Sequence, residues 1–183
     1  MGKVYDSIDD RIRNWILQQK MFFVATAPKA TNGFVNCSPK GSDTLRVLDS
    51  HTLAYLDYLG SGIETVAHLK ENGRIVIMMC AFEGSPKIFR FHGKGYVYEK
   101  ESAEYASLSH HFIDSDGVGT RSIIKIEINR ISDSCGWGVP LYQYQSDRNM
   151  MEKIFDEWGE EKVISFRDKM NRENIDGLAG YEG

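Results

Sequence analysis

The sequence predicts a mainly β fold of the α+β class: an antiparallel barrel, closed or nearly closed, capped by helices. Three observations predict it. Six or seven strand-like apolar runs follow one another at short spacing, with helical stretches as excursions between them. Their connections are rich in turn residues, which favours antiparallel pairing over repeated βαβ units. Ser122 to Ile131 sets Ile124, Ile126 and Ile128 against Lys125, Glu127 and Asn129, the period-two pattern of a half-buried strand.

The first element is an amphipathic helix. Ile8, Ile12, Trp15 and Ile16 recur at helical spacing, charges fill the other face, and Ser7 is placed to cap its start. Met21 to Ala27 is a β-rich run closed by Pro28 and a polar turn. Phe34 to Ser38 and Thr44 to Leu48 are the strands that follow, with Pro39-Lys40-Gly41 interrupting them. Pro39 cannot donate to a ladder, so it belongs at an edge, a bulge or a strand end.

Leu53 to Tyr58 and Ile75 to Phe82 are strands flanking a short helix, Ile63 to Asn72, which Gly73 closes. Ser61 and Glu64 stand in the spacing of a capping box at its start. Ile88 to Tyr98 is a long strand in which Gly93 and Gly95 mark a bend or bulge. Glu101 to Phe112 reads as a helix with His110-His111 at its end, where imidazolium suits the helix dipole. From Asp147 the pattern is helical again. Met150, Ile154, Phe155 and Trp158 share one face, and Val163, Phe166 and Met170 follow beyond Gly159. Ile175 and Leu178 bracket an Asp-Gly turn, as in a docked tail. Residues 1–140 form the barrel domain and 141–183 a helical extension packed on it.

Composition excludes several classes. The net charge of −4, with Lys and Arg scattered, argues against nucleic acid or an anionic membrane as partner. The longest apolar run, Ile75 to Phe82, is far short of the about 20 residues that span a bilayer. The start of the chain turns charged at once, without a secretory apolar region or a myristoylation pattern. Cys37, Cys80 and Cys135 are odd in number and widely spaced, which fits a reducing cytoplasm and thiols used as small hydrophobes. Cys135 has no basic neighbour and reads as a buried structural thiol. No ligand-like spacing of His and Cys suggests a metal site. Nor does a dinucleotide fingerprint, a Walker loop or a nucleophile elbow occur.

One stretch carries chemistry. Lys40 closes an early strand, and Gly60-Ser61-Gly62-Ile63-Glu64 is a turn opening into a helix. Free backbone N–H groups there, beside small residues and a lysine, suit a bound phosphate. The order of Ser38-Pro39-Lys40-Gly41, Leu56-Asp57-Tyr58-Leu59-Gly60-Ser61, Asn72-Gly73-Arg74 and Cys135-Gly136-Trp137-Gly138-Val139-Pro140 resembles the pyridoxamine 5'-phosphate oxidase family. The resemblance covers roughly residues 8 to 140. It implies a Greek-key split barrel that binds FMN between the subunits of a homodimer and oxidises or reduces a small molecule. It places Lys40 at the flavin phosphate, counts Ser38 and Pro39 before it among the cofactor-binding residues, and sets Leu56 and Asp57 along the ring and ribityl chain. Ser61, Gly62 and Thr65 fall in the phosphate turn, Arg90 beside the ring's pyrimidine edge, and Trp137 next to the ring. No catalytic residue is implied.

The chain departs from the family in two places. Counting back from Arg74, Glu64 and Thr65 stand where the family's phosphate turn has an Arg-Lys pair, which leaves Ser61, Thr65, backbone amides and Lys40 to hold the phosphate. Arg46 would join them if its strand points inward. Helix capping alone would also account for Ser61 and Thr65. The C-terminal tail also lacks the Arg-x-His that grips substrate in the true oxidases, which counts against vitamin B6 oxidation. Two other readings fit the resemblance: a non-catalytic, stress-associated flavin module, and a deazaflavin-dependent reductase.

Overall fold

A computed structural model describes residues 2–148 and 150–182; Met1, Asn149 and Gly183 lie outside it, as does the part of the helical and domain expectations that falls on them. The strands are β1 (Val4–Tyr5), β2 (Phe22–Thr26), β3 (Asn36–Lys40), β4 (Leu45–Val47), β5 (Thr52–Tyr58), β6 (Arg74–Cys80), β7 (Ile88–Glu99) and β8 (Thr120–Ser134). The helices are α1 (Asp10–Gln18), α2 (Glu64–Asn72), α3 (Ala103–Ser109) and α4 (Met150–Met170). All strand pairs are antiparallel, in the order β3-β2-β6-β7-β8-β5-β4, with β1 added on β8.

The two ends of that seven-strand path, β3 and β4, are consecutive in the chain. Laid flat, six steps of about 4.8 Å would hold them about 29 Å apart. The five residue steps from Lys40 to Leu45 reach about 18 Å at most. The sheet therefore has to curl until its edges meet. The join is a tight turn in which Ser42 and Asp43 both take positive φ (56° and 51°) and Thr44 bonds back to Gly41. Among the described residues no ladder joins β3 to β4, so the barrel is split along this seam.

The inner face holds the core. Val24, Leu53, Tyr55, Ile77, Met79, Phe91, Ile124, Ile126 and Ile131 are fully buried there, and α1 closes one end with Ile12 and Ile16. A second cluster, Ala54, Leu56 and Ile123 under Tyr105 and Phe112, seats α3 on the outer face. The Gly93 bend is a register shift between His92 and Gly93, where a side chain would collide with the Glu127 carbonyl. Gly73 ends α2 at φ 73° with its N–H on the Leu69 carbonyl.

Several local expectations are corrected. Asp9, not Ser7, caps α1: its carboxylate accepts from the Ile12 amide at 2.7 Å, so the helix starts later. The Ser61–Glu64 capping box is not made. Ile63 stands at the N-cap without a side-chain bond, which makes Glu64 the first helical residue rather than the third. Pro39 and Lys40 do not interrupt β3 but complete it, because β3 is an edge strand whose outward side needs no donor. α3 is shorter than its sequence pattern, ending at Ser109 with His110 as its cap. Cys135 is exposed, since β8 ends at Ser134 and the chain there leaves the sheet. Cys37 is exposed too, on the outer side of β3. The tail docks, but through polar Asn171 and Asn174 and through Tyr181, while Ile175 is exposed.

Candidate functional site: an anion-receiving crevice at the barrel seam

Alternation along β3 sends Asn36, Ser38 and Lys40 to one side and Cys37 and Pro39 to the other. The register Lys40↔Phe22, Ser38↔Val24 and Asn36↔Thr26 puts the first set on the side of the buried β2 residues. This side meets the end of β5 and the start of α2. Lys40 Nζ lies 2.9 Å from Asp57 Oδ1, and Asn36 donates to Thr65 Oγ1 at 2.9 Å. Ser38 donates to Asn36 at 3.0 Å, which links these two β3 side chains to α2, while Lys40 ties β3 to β5.

Asp57 is the electrostatic centre. It is fully buried, with Lys40 on one oxygen and Arg121 Nε at 2.6 Å on the other. Burial alone would raise its carboxyl; the two cations outweigh burial and hold it at about 2. Two cations against one carboxylate leave positive charge over. Beside them the fully buried Tyr55 hydroxyl has no hydrogen-bond partner. Burial lifts it well above its usual range, with Asp57 adding to that effect and Arg121 opposing it.

The turn before α2 supplies the donors. Among the described residues, no acceptor meets the backbone N–H groups of Ser61, Gly62, Ile63, Glu64 and Thr65. A helix start without a cap leaves backbone donors free near Lys40 and Arg121, the chemistry that suits an anion. The Glu64 carboxylate folds back against Gly62, so a negative group already lies beside this turn. The donor set fits the phosphate end of FMN.

Of the residues marked out by sequence, the structure brings Ser38, Lys40, Asp57, Ser61, Gly62 and Thr65 to this crevice. Pro39 borders it on the outward side of β3. Leu56, next to Asp57 on its strand, points the opposite way into the cluster under α3. Arg90 lies on the outer face of β7 and donates to Ser134 Oγ at 3.0 Å, and Trp137 is 85% exposed beyond β8. Neither reaches the crevice of its own chain. Arg46 does not point there either: it bonds Asp43 and the His111 carbonyl. The chain's Arg-x-His, Arg90-Phe91-His92, is a strand segment of β7 and not a C-terminal grip.

Sequence reasoning missed Arg121, Asn171 and Tyr55. A lone Arg at the head of an isoleucine run was the available signal for Arg121. Nothing local announced Asn171.

Fold and site together define a split antiparallel barrel with a run of free backbone donors at its seam. The chain belongs to the pyridoxamine 5'-phosphate oxidase family, which residues 8–135 match. A pyridoxamine 5'-phosphate oxidase family protein, ustO of Aspergillus flavus, is 39% identical over 145 residues, 78% of this chain. The match spans 58% of that relative's length. Among solved structures, HupZ of Group A Streptococcus shares 25% identity and a TM-score of 0.54, covering 68% of this chain and 91% of that one. A Clostridium acetobutylicum protein related to general stress protein 26 shares the fold at 13% identity and a TM-score of 0.52, over 68% and 86% of the two chains.

Among the described residues no helix is long and apolar enough to cross a membrane, and no group of three or more His, Cys, Asp or Glu could hold a metal ion.

Proposed function

We propose that the chain binds FMN with its phosphate in the seam crevice and acts in the cytoplasm as a flavin-dependent oxidoreductase of a small molecule. The observation that carries this reading is the run of unpartnered amides from Ser61 to Thr65 beside Lys40. Ser38, Ser61 and Thr65 add hydroxyls, and Gly60, with open space where a side chain would stand, lets a ligand approach the backbone. Pro39 and the backbone around Leu56 and Asp57 border the path from the phosphate toward the ring. When bound, FMN supplies hydride or single-electron transfer, while the chain binds it, orients it and sets the charge around it.

Arg90 and Trp137 lie away from their own crevice, so their part in the site would come across a homodimer interface. Exposed apolar groups support that assembly. Trp137, Leu141 and Tyr142 stand out beyond β8, and Phe34 and Val35 lie beside β3, all exposed in one protomer.

The test is the visible spectrum of purified protein together with titrations of FMN and riboflavin. Flavin bands, FMN binding tighter than riboflavin, and turnover with NAD(P)H are expected. Tight flavin without turnover would favour the non-catalytic module. Absence of binding to either flavin would overturn the reading.

A further inference from the structure

Gly60 and Gly62 turn their carbonyls inward. The Gly60 carbonyl accepts from Asn171 Nδ2 at 3.0 Å, and the Gly62 carbonyl from Arg121 Nη1 at 3.1 Å. In a planar trans peptide the N–H points opposite to the carbonyl of the same unit. With both carbonyls held inward, the N–H groups of Ser61 and Ile63 are directed outward, away from Asn171 and Arg121. These are two of the unpartnered amides of the turn.

Asn171 also holds the cation. Its Oδ1 accepts from Arg121 Nη1 at 2.7 Å, while Arg121 Nε is on Asp57. One fully buried amide side chain thus fixes a peptide plane with its nitrogen and a guanidinium with its oxygen. Its backbone is fixed in turn. The Asn171 N–H bonds the Arg167 carbonyl in the last turn of α4, and the Tyr181 N–H bonds the Asn171 carbonyl, each at 2.8 Å. Tyr181 is itself buried, with its hydroxyl on Glu101 at 2.6 Å. Residues 171–182 lie outside the segment that matches the family.

We infer that Asn171 is a positioning residue for the anion site: the C-terminal segment presets the Gly60–Gly62 turn and Arg121 so that the turn's amides face an incoming phosphate. This rests on the FMN reading above. A preset turn removes the ordering cost that a loose glycine turn would charge against binding. Asn171 touches no ligand, so its effect is on the phosphate part of affinity and not on the flavin ring.

The experiment measures dissociation constants of FMN and of riboflavin for the full chain, for Asn171→Ala and for Asn171→Asp. The Asp variant keeps the side-chain size and the bond to Arg121 but loses the donor to Gly60. Tyr181→Phe is the control, since it removes only the hydroxyl bond to Glu101 and keeps the Tyr181 N–H bond to the Asn171 carbonyl and the Asn171 side chain in place. Both Asn171 variants are expected to lose about tenfold in FMN affinity with riboflavin changed by less than about threefold. Tyr181→Phe is expected to leave the FMN-to-riboflavin ratio unchanged. An unchanged ratio in either folded Asn171 variant, or an equal fall in Tyr181→Phe, overturns the inference alone. Wild-type protein that binds the two flavins equally overturns the phosphate site itself.

Discussion

Asp57 and Arg121 form an ion pair in which both partners are out of water: Nε to Oδ2 is 2.6 Å, and their side chains are 0% and 5% exposed. Asp57 shares its other oxygen with Lys40, the cation nearest the crevice. The charge that holds the seam together is therefore the same charge that presents Lys40 to a ligand.

The pair makes stability depend on acid pH. The carboxyl is held at about 2 against an ordinary 3.8, so its contribution is fully present above about pH 4 and is lost as pH falls toward 2. The difference corresponds to about 2 kcal/mol. Urea unfolding at pH 6 and pH 2.5 is expected to show a larger pH effect for wild type than for Asp57→Asn. At pH 6, Asp57→Leu strands a buried guanidinium and is expected to cost about 3–5 kcal/mol.

Lys40→Ala is expected to weaken FMN more than riboflavin, which lacks the phosphate. A charge-assisted bond lost at a half-buried site costs roughly twice a neutral one. Isothermal titration of both ligands measures it. Equal losses would move Lys40 out of the site.

Glu64 sits at the first position of α2 and folds back on Gly62, a negative group beside the amides that would meet a phosphate. Glu64→Gln removes that repulsion while keeping the shape. FMN affinity is expected to rise several-fold, with riboflavin little changed, and most clearly at low ionic strength. A fall in FMN affinity would show that the carboxylate orders the turn instead.

Homodimerisation is read from Trp137 and its exposed apolar neighbours. Sedimentation is expected to give a dimer that carries flavin, and Trp137→Ser is expected to shift it toward monomer and lower flavin occupancy together. A flavin-loaded wild-type monomer would sink this idea.

Pyridoxamine 5'-phosphate is expected to be a poor substrate. It carries its own phosphate and needs a second set of charged donors beside the flavin. The turn into α2 offers Glu64 and Thr65 rather than further cations, and Arg90-Phe91-His92 is committed to a β strand. Missing preplaced charge typically costs orders of magnitude in rate. Incubation of FMN-loaded protein with the substrate under oxygen, with assay of pyridoxal phosphate and peroxide, decides it.

The sequence by itself determined the strands from β2 to β8, their antiparallel sense and the turn into α2, because apolar period and turn residues act locally; the two-residue β1 is too short to leave such a period. The alternation of Ile124, Ile126 and Ile128 fixed which side of β8 is buried. Gly73 marked a helix end, and Gly93 with Gly95 a bend or bulge, which the structure places at the His92/Gly93 register shift. What the sequence did not determine is who meets whom. Arg121 reaches Asp57 across 64 positions, and Asn171 reaches Arg121 across 50. Those meetings depend on strand register and on the path of the tail after α4, neither of which leaves a local periodic signal. The same holds for Lys40, whose charge was legible but whose buried partner was not. Only the curling of the sheet, forced by the short turn between its two edge strands, brings β3 against the end of β5. There the low dielectric makes an ion pair, and not solvation, the stable state for Asp57.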